Sequence, residues 1–162
     1  MMNLVAVVII GIGASLCIDL WALLLRAGFG VRSLDYCLLG RWALHMTEGT
    51  FRHEHIAKSS AKRGECLAGW AAHLSIGVGF AWLFVRLMPD EWLQHPTLLP
   101  ALVFGVATVV VPFLTIQPGI GLGWASSRVP HPARARLKSV MTHAVFGCGL
   151  YVWAYLMRGL TA

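Results

Sequence analysis

The sequence predicts an all-α membrane fold with four transmembrane helices, on three observations. Hydrophobic residues make up 57% of the 162-residue chain and charged residues only 12%, whereas soluble globular chains carry about 25% Asp, Glu, Lys and Arg. Four stretches stay apolar over the ~20 residues that a helix needs to cross ~30 Å of hydrocarbon. The cations are concentrated in the two connections that follow the first and third of these stretches.

The predicted spans cover about 4–25, 66–85, 98–116 and 140–157, and together they form a single integral membrane domain. The first lacks the positive leader of a secretory signal and is too long for its apolar segment, so it reads as a retained helix. Arg26, Arg32, Arg41, Arg52, Lys58, Lys62 and Arg63 lie between the first two spans, and Arg128, Arg134, Arg136 and Lys138 between the last two. Only Arg86 and Arg158 fall on the other side. The positive-inside bias therefore makes the loops 26–65 and 117–139 cytoplasmic and both termini external. The formal charge of +6 is then topological, with no role for nucleic acid.

Within the first loop, Leu34, Cys37, Leu38, Trp42 and His45 line one helical stripe, and Ser33 and Asp35 suit a helix N-terminus. A short amphipathic cytoplasmic helix near 33–46 is expected. Residues 47–64 are polar, punctuated by glycine, and read as a surface loop. The four cysteines, Cys17, Cys37, Cys66 and Cys148, have no C-x-x-C spacing, so reduced packing residues are expected.

The second and fourth spans share H-x-x-x-G-x-G, as His73 with Gly77 and Gly79 and His143 with Gly147 and Gly149. Both follow a basic loop, which makes the chain two like-oriented hairpins with an internal repeat. At 1.5 Å per residue, His73 lies ~12 Å below Glu65, His143 ~8 Å below Lys138 and Asp19 ~10 Å from Arg26. These three, capped by Gln117, share one layer of the inner leaflet. An ionisable side chain facing lipid at mid-bilayer costs at least ~2.5 kcal/mol, so mutual satisfaction is the cheaper arrangement. Pro112 removes a backbone hydrogen bond from the third span, which Thr108 on the preceding turn helps to re-satisfy.

Several of these residues together resemble a known family. Asp19-Leu-Trp21, Gly40-Arg41-Trp42 with His45, Gly64-Glu65, Gly69-Trp70 with His73, Pro96-Thr-Leu98 with Pro100-Ala-Leu102, Gln117-Pro-Gly-x-Gly121 and Thr142-His143 with Phe146-Gly147 resemble a group of small bacterial multipass membrane proteins catalogued as a domain of unknown function. The resemblance spans nearly the whole chain. It implies a bacterial inner-membrane protein and brings no activity, substrate or catalytic residue with it.

The chemistry of the polar layer supports three readings. Neutral imidazoles bind transition metals, so His73 and His143 with Asp19 would hold a metal ion, or haem with axial imidazoles, and Glu65, Gln117 and His45 would support them. The plainer alternative makes both histidines hydrogen-bonded core side chains. A buried acid among histidines equally suits a small proton-linked transporter or channel, which at four helices would work as a homo-oligomer. The third reading is a non-catalytic membrane subunit of a larger complex. A di-iron centre from His45, His53 and His55 is disfavoured, because H-x-x-H-H boxes are missing. Cys66 is the only thiol with a candidate base nearby, and the adjacent Glu65 would disfavour its thiolate.

Overall fold

A computed structural model of the chain describes residues 3–31 and 33–158, and every regular element among them is helical. The helices are α1 (Leu4–Phe29), α2 (Tyr36–Met46), α3 (Glu65–Leu87), α4 (Asp90–Gln94), α5 (Leu98–Ala107), α6 (Val110–Leu114), α7 (Ile116–Gly119) and α8 (Pro132–Met157), with short 3-10 turns at Ile56–Lys58 and Trp124–Ser126. Four segments, Leu4–Phe29, Glu65–Leu87, Leu98–Gly119 and Pro132–Met157, are long and apolar enough to cross a membrane. The expected all-α fold with four such helices is therefore present.

Helix ends follow local chemistry. Asn3 caps α1 by accepting the Val5 N–H at 3.0 Å, and Gly30 ends it at φ +65 with its N–H on the Arg26 carbonyl, a left-handed conformation that glycine adopts without strain. Asp35 caps α2 by accepting the Cys37 N–H at 2.8 Å, so the short helix expected near 33–46 forms over Tyr36–Met46. The third apolar stretch, from which Pro112 removes a backbone hydrogen bond, is broken into α5, α6 and α7. The regular helix is interrupted at Thr108 and Val109, whose backbones stay in the right-handed helical region, and Thr115 takes φ −121, ψ −71. The Thr108 hydroxyl donates to the Gly105 carbonyl at 2.6 Å. It thus satisfies a helix-end carbonyl a turn before the one that Pro112 leaves open.

The chain divides into two compact units, residues 1–32, 74–108 and 140–162 forming the first and residues 33–73 and 109–139 the second. In the first unit small residues let backbones touch, as expected of helices that meet without a hydrophobic driving force. A Cβ on Gly11 would lie 2.5 Å from Val78 Cα, and one on Gly105 would lie 2.5 Å from Gly147 Cα. Gly77 packs on Ser15, whose hydroxyl bonds back to the Gly11 carbonyl at 2.9 Å, and Gly149 packs on Ala14. Around these seams Ile10, Ala81, Phe84, Ala101, Phe146 and Leu150 are buried, and the Phe84 ring meets Trp92 edge-on at 4.9 Å. Leu16, Leu20, Leu23 and Leu24 on α1 are each more than half exposed. So continuous an apolar surface suits hydrocarbon rather than water.

The two aligned glycine pairs behave differently, which gives a direct test. A Cβ on Gly147 would come within 2.6 Å of the Ala101 carbonyl, whereas one on Gly79 meets nothing within 4 Å. Gly147→Ala is expected to destabilise the protein by about 1–3 kcal/mol, the usual range for overpacking. Gly79→Ala is expected to be neutral or up to ~1 kcal/mol stabilising through helix propensity. Thermal unfolding of the two variants in detergent checks the contrast, and equal losses would contradict this packing.

Candidate functional site

In the second unit the polar residues are organised by a crossing of α2 on the start of α3. Cys37-Leu-Leu-Gly40 and Cys66-Leu-Ala-Gly69 repeat one pattern in the two helices, and the structure sets the two patterns face to face. A Cβ on Gly40 would run into the Glu65 carbonyl, and one on Gly69 into the Tyr36 carbonyl. With only hydrogens in the way, the Cα atoms of Cys37 and Cys66 approach to 3.9 Å and their sulfurs are joined in a disulfide. This corrects the expectation of four reduced cysteines, which holds for Cys17 and Cys148 alone. The pairing spans 29 residues, so spacing along the chain carried no sign of it. The sign lay in the repeated Cys-x-x-Gly, where a glycine one turn after each cysteine permits backbone contact.

The residue after Gly40 fixes the crossing electrostatically. Arg41 lays its guanidinium fork on Glu65, with Nη2 donating to Oε1 at 2.7 Å and Nε to Oε2 at 2.8 Å. The Lys62 N–H donates to the same Oε2 at 2.7 Å. Such bidentate, charge-assisted pairs are short and geometrically specific. Glu65 in turn raises the Arg41 pKa above its ordinary value, chiefly by accepting its hydrogen bonds. The remaining Nη1 donates to the Ser59 carbonyl at 3.1 Å. The carboxylate expected to support a metal ligand is instead fully engaged in tying α2, α3 and the 56–60 segment together.

The polar 47–64 segment is a largely exposed surface loop, as expected, and it is anchored at several points. The His53 N–H donates to the Gly119 carbonyl at 2.9 Å and the Ile56 N–H to the Ile120 carbonyl at 3.1 Å, and Ile56 is buried. Trp42 donates its indole N–H to the Phe51 carbonyl at 2.9 Å and lies on Gly119, where a Cβ would come within 2.6 Å of the ring. The Gln117-Pro-Gly-x-Gly121 turn thus serves as a seat for Trp42 and for residues 53–56. Gln117 is buried and accepts the Ser126 hydroxyl at 2.9 Å. Ala125 and Ser126 adopt positive φ of 45 and 56, a conformation costing non-glycine residues about 1–3 kcal/mol each. The Arg136 Nε bond to the Ala125 carbonyl, 2.8 Å, helps to hold it.

Every histidine proposed from sequence as a ligand or its support has a defined neighbour. His73 on α3 stacks on Tyr36, centroids 4.2 Å apart, and Trp70 meets Tyr36 edge-on at 4.8 Å. His45 is buried and bonds the Ser60 carbonyl through Nε2 at 3.0 Å. His143 on α8 bonds Thr108 Oγ1 through Nδ1 at 2.7 Å. The single Thr108 hydrogen is committed to Gly105, so Nδ1 of His143 carries the proton and Nε2 the lone pair. Asp19 is partly buried on α1. Among the described residues no group of three or more His, Cys, Asp or Glu is placed to hold a metal ion.

His53 carries a pH prediction. Its Nδ1 meets Ser59 Oγ at 2.9 Å and its ring meets His45 edge-on at 4.9 Å. Burial first, and then the neighbouring His45, pushes its pKa below the ordinary 6.5. Between that lowered value and 6.5 the unfolded chain binds more protons than the folded one, so the stability present above 6.5 is lost as the pH is lowered through this window. Glu48, lowered below 4.5 by its bonds to Lys62, does not titrate there. Limited proteolysis between residues 47 and 60 is expected to quicken from pH 7.5 to 5.5 in the native chain and to change less in His53→Gln. Equal rates at the two pH values would contradict the burial of the ring.

No curated protein and no solved structure matches the chain. A family model described as Protein of unknown function (DUF2938) matches residues 8–157. That stretch takes in the glycine seams, the α2–α3 crossing and the Gln117 turn, and the chain accordingly belongs to the DUF2938 family.

Proposed function

We propose that this chain is a multipass bacterial inner-membrane protein whose Cys37–Cys66 pair cycles between dithiol and disulfide. The observation that carries the proposal is the disulfide itself, set at the N-terminal turns of two helices, with Cys66 exposed. Eleven cations in the loops 26–65 and 117–139 support a cytoplasmic location for this pair under the positive-inside rule. Disulfides are rare in that compartment and, where present, are usually transient, catalytic or redox-sensing. The contacts of Gly77 with α1 and of Gly147 with α5 support the two-hairpin arrangement that creates this topology.

The surroundings suit a thiolate at Cys66. The carboxylate beside it does not stand alone, because Arg41 neutralises Glu65, and the first turn of a helix favours negative charge. Cys37 is less exposed and follows the Asp35 cap. In exchange with a partner dithiol, one partner thiolate attacks the Cys37–Cys66 bond, forming a mixed disulfide and freeing the other cysteine as a thiol. The second partner thiol then attacks the mixed disulfide, closing the partner's own disulfide and releasing the remaining cysteine as a thiol. Two electrons and two protons pass from the partner to the pair.

The metal or haem reading, with His73, His143 and Asp19 as ligands, retains one supporting observation. Nδ1–H of His143 is held by Thr108, the tautomer that leaves Nε2 available to a metal. Elemental analysis of protein purified without chelator separates the two, since the dithiol reading needs no stoichiometric metal.

The redox reading is tested by equilibrating the full chain in lipid nanodiscs with glutathione buffers and counting free thiols by alkylation mass shift. The expected midpoint lies above about −300 mV, the level below which disulfides are structural. Cys37→Ser and Cys66→Ser should each abolish the transition, while Cys17→Ser with Cys148→Ser should leave it unchanged. A midpoint below that level would make the bond a structural staple and overturn the proposal.

A further inference from the structure

We infer that the oxidant of the Cys37–Cys66 pair is a membrane-soluble quinone that docks on the aromatic patch of Tyr36, Trp70 and His73, an inference that rests on the redox reading above. Cys66, Trp70 and His73 stand at i, i+4 and i+7 and so share one face of α3. That face leads from the disulfide into the apolar span Glu65–Leu87. Tyr36 immediately precedes Cys37, and its ring stacks on His73 at 4.2 Å and meets Trp70 at 4.8 Å. The disulfide is thus continuous with three aromatic rings from two helices. Trp70 is 44% exposed and Leu67, one turn earlier, 77%, so the patch is open at its outer side.

The chemistry of the occupant follows from what the pair releases and where the patch lies. Closing the bond frees two electrons and two protons. A carrier that takes both, dissolves in hydrocarbon and presents a flat ring to aromatic faces is a quinone. Both S–H bonds break and one S–S bond forms. The quinone ring accepts the two electrons and its two carbonyl oxygens take the two protons, giving quinol. A water-soluble disulfide can reach Cys66 from the aqueous side but has no use for an aromatic patch on a span.

The test uses the full chain in nanodiscs, reduced with dithiothreitol and freed of excess reductant. It is then mixed with decylubiquinone, a ring-substituted analogue that cannot add thiols, or with oxidised glutathione. The expected result is one quinol formed per disulfide closed. Trp70→Ala should slow the quinone reaction by up to about tenfold, the equivalent of one lost aromatic contact, while its oxidation by glutathione stays within about twofold of the native rate. That second rate also shows that the variant still brings Cys37 and Cys66 together. Oxidation by glutathione but not by quinone would overturn this inference and leave the redox reading standing. Equal quinone rates in native and Trp70→Ala protein would likewise remove the patch as the docking site. Closure by neither oxidant would bring down the redox reading itself.

Discussion

Backbone contact between α2 and α3 at Gly40 and Gly69 is the constraint on which the second unit depends. Any side chain at either position would run into a carbonyl of the facing helix. Because none is present, the turns that precede the two glycines come close enough for Cys37 and Cys66 to bond. The turns that follow bring Arg41 onto Glu65 and Trp70 onto Tyr36. One steric permission therefore produces a covalent link, an ion pair and an aromatic contact, each of which would be weak or absent at an ordinary interaxial distance of 8–10 Å.

Much of the fold was legible because its signals are local. Runs of apolar residues gave the four long helices, Asp35 marked the start of α2, and Pro112 warned that the third stretch would not stay straight. The function of Glu65 and Gln117 was less accessible. Both are polar residues beside apolar runs, and in one dimension a residue that supports a ligand looks like one that satisfies its own loop. Glu65 proved to be engaged by Arg41, 24 residues away, and Gln117 by Ser126. The disulfide was missed for a related reason. Cysteine pairing depends on where two helices cross, and that was written in the glycines rather than in the distance between the cysteines.

His143 shows how a polar group is accommodated among small residues. Thr108 ends α5, donates to the Gly105 carbonyl and accepts from the imidazole, so one hydroxyl closes a helix end and fixes a tautomer. Gly105 and Gly147, in backbone contact, bring α5 and α8 close enough for this bond. In the structure Gly147 is filled by the neighbouring helix.

Arg41 has a consequence for how the second unit opens. Its planar fork joins the middle of α2, the first residue of α3 and the carbonyl end of the 56–60 segment, pieces that are remote along the chain. None of the three can come away alone without stranding donors or a carboxylate. Local fraying is thereby opposed, and residues 36–66 are expected to exchange their amide protons as one cooperative block rather than as a helix, a loop and a helix with separate lifetimes.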